Sequence, residues 1–111
     1  GLQQKALKTG HHLLEGMGHL MSRHPLMGDV RGSGLFVGTE LVKDPDTKTP
    51  AADEADRIIQ YLREDAVLLS TDGPYANVLK LKPPMVFGIE EADIFLEKLD
   101  NAFKRLQKDT L

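Results

Sequence analysis

Residues 35 to 42, Leu-Phe-Val-Gly-Thr-Glu-Leu-Val, constrain this chain more than any other stretch, because they are apolar on both faces of an extended strand. Side chains alternate along a strand, so Leu35, Val37 and Leu41 share one face while Phe36, Glu40 and Val42 share the other. A strand of that kind needs cover on both sides, which places it in the middle of a sheet and not at an edge. Gly28, Gly32, Gly34 and Gly38 punctuate the approach to it. The rest of the chain must supply both its neighbours and its cover.

Three amphipathic patterns supply the cover. Leu2, Ala6, Leu13, Met17 and Leu20, flanked by Leu7, Leu14 and Met21, predict a helix over residues 2 to 23. His24-Pro25 ends it, since the residue before proline is pushed out of the α region. Gly10, Gly16 and Gly18 each cost up to about 1 kcal/mol against alanine, so this helix depends on packing. Ala55, Ile58, Ile59 and Leu62 predict a second helix to about residue 65, with the Thr49 hydroxyl as N-cap and Pro50 in the first helical position. Asp53, Glu54 and Asp56 complement its dipole. Gly88, followed by Glu90 and Glu91, opens a third helix built on Ala92, Phe95, Leu96, Leu99, Phe103 and Leu106.

The neighbours come from two short runs. Residues 67 to 70 and 77 to 82 read as strands joined by the turn Thr71-Asp72-Gly73-Pro74, and they should pair as a hairpin. Pro83-Pro84 stops the ladder because neither residue can donate a hydrogen bond. The order is α-β-α-β-β-α. It predicts one α+β domain over residues 1 to 111, with three helices on one or both faces of a small, mainly antiparallel sheet of three to four strands.

Composition narrows the functions open to such a domain. A chain of 111 residues buries about two thirds of its extended surface, enough for a core of its own. Lys and Arg total 14 against 17 Asp and Glu, and the basic residues are scattered, which argues against nucleic acid as a partner. No run approaches the ~18 apolar residues of a spanning helix, so no membrane partner is expected. The absence of cysteine removes disulfides, thiol nucleophiles and Cys-based zinc sites, and it fits a reducing, cytoplasmic compartment. The chain opens Gly1-Leu2-Gln3 without an initiator methionine, from which we expect a piece of a longer protein.

Candidate chemistry is sparse. His11, His12, His19 and His24 lack the i, i+4 spacing and the nearby carboxylate of a helical metal site, so surface histidines are the better reading and no metal is expected. Gly32-Ser33-Gly34 with Gly38 leads into a strand, the reverse of a phosphate loop, and reads as a tight turn with close backbone packing. Ser70 and Asp72 sit in turn chemistry without a nucleophile elbow. Arg31, beside Asp29, can grip a ligand carboxylate or hold the turn through an ion pair. Lys80 and Lys82 leave one face of the last strand near Asn77, where two ammonium groups could meet an anion; a solvated strand face is the default.

Taken together, His24-Pro25, the run from Gly28 to Gly38 and Glu40-Leu41-Val42-Lys43-Asp44 resemble the C-terminal small domain of class III pyridoxal-phosphate aminotransferases. Thr49-Pro50-Ala51, the run from Val67 to Pro74 and Asn77 to Met85 are most similar to the branch of phospho-lyases acting on phosphoethanolamine and phosphohydroxylysine. The resemblance implies a small domain of a homodimeric fold-type I enzyme, packed on a large domain of the same chain that holds pyridoxal 5'-phosphate and closing over a small amino or amino-phosphate substrate. The aldimine lysine would belong to the large domain, so this segment alone should bind no cofactor and catalyse nothing. Lys80 stands where ornithine-type members carry a carboxylate-binding arginine, and a lysine suits phosphate or another anion as a point charge. Lys80, with Arg31 and Asn77, is the expected substrate-binding set, Lys82 contributing less. The reading from a different class is a stand-alone α+β binding or dimerisation module without catalysis.

Overall fold

The computed structural model describes residues 1–33, 36–67, 69–83 and 87–110. Helix α1 (Leu2–Met21) leads into strands β1 (Met27–Ser33) and β2 (Phe36–Leu41); helix α2 (Ala52–Glu64), strands β3 (Ser70–Asp72) and β4 (Val78–Leu81) and helix α3 (Ile89–Asp109) follow. The four strands form one antiparallel sheet in the order β1-β2-β4-β3. β2 is internal, as its apolar pattern requires, and β3 and β4 form the expected hairpin.

Three features depart from the sequence reading. Met27–Ser33 forms a full strand paired with β2, with a register irregularity between Met27 and Asp29, where glycine spacing had pointed to a turn. β3 begins at Ser70 and takes in Thr71 and Asp72, so the turn moves to residues 73–76, with left-handed φ values at Gly73 (84°) and Ala76 (51°). The Thr49 hydroxyl bonds the Thr47 hydroxyl at 2.8 Å and does not cap α2, whose N-cap is Ala51, while Pro50 bridges Val42. Leu35, Leu68 and the Pro84-Met85 part of the Pro-Pro step lie outside the described residues.

Register decides which residues face the helices. Val37, Leu41 and Leu79 join the core, with Val30 and Leu81 packed against it, and all five lie on one face of the sheet. α1 packs on β1 and β2, α2 on β2, β3 and β4, and α3 closes over both helices, so all three helices lie on this one face. Leu13, Leu41, Ala55, Ile58, Leu62, Ala92 and Leu99 are fully buried there. Each large side chain among them contributes about 1.5–3 kcal/mol by leaving water. At Gly16 α1 and α3 meet closely, since a methyl group there would overlap Leu96. Gly88 caps α3 with its N–H donated to the Glu91 carboxylate at 3.2 Å.

Two buried polar links tie the ends of the chain together. The Thr9 hydroxyl donates to the Phe87 carbonyl at 3.1 Å, and His24 shares a hydrogen bond with Asp100 at 2.6 Å. His24 is therefore not a surface histidine: it is 7% exposed and stacks on Phe103 with ring centroids 5.1 Å apart. His12 makes a matching 2.6 Å contact with Asp93 at the other end of the α1–α3 seam, on the surface.

Candidate functional site

Among the described residues no helix packs on the opposite face of the sheet. Here the expectation of cover on both sides of β2 fails: of Phe36, Glu40 and Val42, only Val42 is buried. Phe36 remains 37% exposed.

The register builds a row across this open face. Arg31 pairs with Gly38, Gly38 with Lys80, and Lys80 with Ser70. Paired residues share a face, so Arg31 and Lys80 stand on either side of a position with no side chain, roughly 10 Å apart by two strand spacings. A groove of about 460 Å³ lies over Gly38, bordered by Arg31, Phe36, Glu40, Asp72, Tyr75 and Lys80. A Cβ at Gly38 would approach the Leu79 carbonyl oxygen to 3.3 Å, so the glycine keeps the groove floor low.

Each cation already has an acid. The Lys80 ammonium donates to Asp72 Oδ2 at 3.2 Å, and the Arg31 guanidinium lies 3.8 Å from Glu40. Arg31 thus turns to a neighbouring strand and away from Asp29. The Gly73 backbone N–H, then the Lys80 ammonium, hold the Asp72 carboxyl below its ordinary range. Lys80 Nζ sits 4.4 Å from the centroid of the Phe36 ring, and Lys82 Nζ lies 5.5 Å from the same centroid.

Asn77 plays a different part from the lysines. Its buried amide donates to the Leu41 carbonyl at 2.9 Å, and Leu41 N–H donates back to the Asn77 carbonyl at 2.8 Å. The pair extends the β2–β4 ladder past its last strand residue and fixes the turn that carries Tyr75, which is 65% exposed. Sequence patterning could not find this, because an asparagine in a turn has many local partners and only the fold brings Leu41 to it.

No lysine is buried among the described residues, and no group of three metal-ligating side chains converges among them. No helix among the described residues is long and apolar enough to cross a membrane. What the open face offers is cations, an aromatic ring and a shallow floor.

Residues 1–103 match the family model for class-III aminotransferases. The chain belongs to that family. An alanine–glyoxylate aminotransferase 2-like protein of Drosophila melanogaster is 50% identical over 97 residues, covering 86% of this chain and 20% of its own length. A phospholyase from Arthrobacter, solved in complex with phosphoethanolamine, superposes with a TM-score of 0.87 at 37% identity over 93% of this chain and 24% of its own. An amine transaminase from an uncultivated Pseudomonas species, solved in its PLP-bound internal aldimine form, gives 0.83 at 34% identity over 95% of this chain and 24% of its own. The chain therefore spans about a fifth to a quarter of the proteins it matches. These class-III structures carry the small α+β sheet and helices described above.

Proposed function

We propose that this chain acts as the small domain of a class-III pyridoxal-phosphate enzyme, a transaminase or an amino-phosphate phospho-lyase, and that its open sheet face closes over the substrate. The observation that carries the reading is the Arg31–Gly38–Lys80 row, two cations flanking a bare position on the sheet face that no helix among the described residues covers. Ion pairs this exposed contribute little to the fold, and cations so placed suit a small anionic substrate. Lys80 would meet the anion as a point charge, Arg31 would approach from the far side of Gly38, and Asn77 would hold the turn bordering the groove.

The residues of this chain do not fit pyridoxal phosphate by themselves. The cofactor, which supplies the electron sink when bound, would be held by a large domain outside the matched quarter, within a homodimer. A chain without cysteine suits the reducing cytoplasm. The phospho-lyase branch is supported by the lysine at position 80, which lacks the planar fork that recognises carboxylates, and by the phosphoethanolamine named with one structural relative.

Steady-state kinetics of Lys80→Ala in the full-length enzyme test the reading. A lost charge-assisted contact costs about 1.5–3 kcal/mol, so substrate affinity or kcat/KM should fall roughly ten- to a hundredfold. Unchanged kinetics would leave Lys80 an ordinary surface lysine.

A further inference from the structure

Lys82 follows Lys80 by two residues, just past the end of β4, which separates their backbones by about 7 Å and sets two like charges near one another. Both ammonium groups nevertheless draw toward one object, the Phe36 ring, at 4.4 and 5.5 Å from its centroid. An aromatic face attracts a cation within about 6 Å, so one ring offsets the repulsion between the two. Phe36 is 37% exposed, and its open surface is not consumed by the core.

The charges around this pair are unequal. Lys80 is paired with Asp72 at 3.2 Å, whereas Lys82 has no acidic partner among the described residues. Lys80, Lys82 and Asp72 together keep one positive charge. A ligand carboxylate arriving at Lys80 would replace one carboxylate by another, an exchange with no gain in charge. A phosphate-type group carries about two charges and several strong acceptor oxygens, so it can displace Asp72 and engage both ammonium groups at once.

We propose that Phe36, Lys82 and Asp72 set the anion preference of the seat at Lys80, favouring a doubly charged, tetrahedral phosphate-type group over a carboxylate. Phe36 gathers the two ammonium groups, Lys82 supplies the second charge, and Asp72 is the internal counter-ion that the ligand displaces. The inference rests on the reading of Lys80 as the anion-binding residue. It also gives Lys82 a larger part than its position before Pro83 alone implies.

The test is isothermal titration of the cofactor-loaded full-length protein, whose cofactor phosphate site is already filled, with inorganic phosphate and separately with acetate at matched ionic strength. Phosphate should bind more tightly than acetate. Lys82→Gln should weaken phosphate about tenfold and Phe36→Leu about two- to fivefold, while acetate moves little. Asp72→Asn should tighten phosphate by removing its competitor. If Lys80→Ala weakens both anions but Lys82→Gln and Phe36→Leu leave the phosphate-to-acetate ratio unchanged, the two-lysine seat is wrong and the role of Lys80 survives. If Lys80→Ala changes neither anion, the underlying reading falls as well. Lys82 is a surface residue, so Lys82→Gln decides the matter even if Phe36→Leu proves poorly folded.

Discussion

The two faces of the sheet are made from the same four strands and obey different rules. On the helix side, Val37, Thr39, Leu41 and Leu79 are at most 3% exposed and their neighbours are other side chains of the core. On the open side, Arg31, Phe36, Glu40, Lys80 and Asp72 stand in register with them, one residue along, and meet water. A difference this sharp within single strands means that folding selects one set of residues and leaves the other free for something else. Ion pairs as exposed as Arg31–Glu40 and Lys80–Asp72 contribute little to stability, so stability does not account for their presence.

The largest expected effect comes from the helix side. Leu79→Ala removes a side chain that is 2% exposed and packs between the sheet and the helices. Unfolding free energy should fall by about 2–5 kcal/mol, the transfer of the lost methyl groups plus the cavity they leave. Urea denaturation of the chain measures it. A loss below about 1 kcal/mol would mean that the sheet and helices are not held together by this layer, and the contrast between the faces would weaken.

An intermediate effect separates charges that folding uses from charges it does not. Burial pushes the Asp100 carboxyl up, but hydrogen bonds from His24 and Lys104 and the charges of Lys104 and Arg23 outweigh it and hold the group below the ordinary 3.8. A carboxyl depressed by folding adds stability above its unfolded value and loses it as pH falls through the folded one. The chain should therefore lose stability on acidification below about pH 4, as the Asp100 links to His24 and Lys104 are titrated away. Asp100→Asn should flatten that acid limb. Asp72 is also depressed, by the Gly73 N–H and Lys80, but it sits in water on the open face, so Asp72→Asn should flatten the limb far less. Midpoints followed from pH 6 down to pH 2 compare the two; equal flattening by both would erase the difference between the buried and the open-face charge.

What could be read from the sequence follows the same division. Helical periodicity located all three helices to within two or three residues, because a buried stripe leaves a repeating apolar signal. The central position of β2 was legible for the same reason. β1 was missed: Gly28, Asp29, Arg31, Gly32 and Ser33 give no apolar alternation, and the strand exists because β2 offers it a ladder. The uncovered side of β2 was misread as covered, since Phe36 and Val42 look alike in sequence and only Val42 is enclosed, where a Cβ at Gly28 would meet it. Family resemblance singled out Lys80 and Arg31 but could not place them across Gly38. His24 reads as a surface group in the sequence because nothing local marks it as the partner of an aspartate 76 residues away.

The smallest expected effect bears most directly on function. Lys80→Ala and Arg31→Ala remove side chains that are 37% and 55% exposed and pair with solvated acids, Lys80 also resting on the exposed Phe36 ring. Neither leaves a cavity, and neither strands a buried partner, since Glu40 and Asp72 remain solvated. Thermal midpoints of the two variants should therefore coincide with that of the native chain within the scatter of the measurement, although the same substitutions are expected to weaken anion binding in the full-length enzyme. Silence in folding together with a clear loss in binding is what a face shaped for a ligand would give. A substantial drop in midpoint for either variant would show instead that the open face is part of what holds the sheet together, and its charges would then need no ligand to explain them.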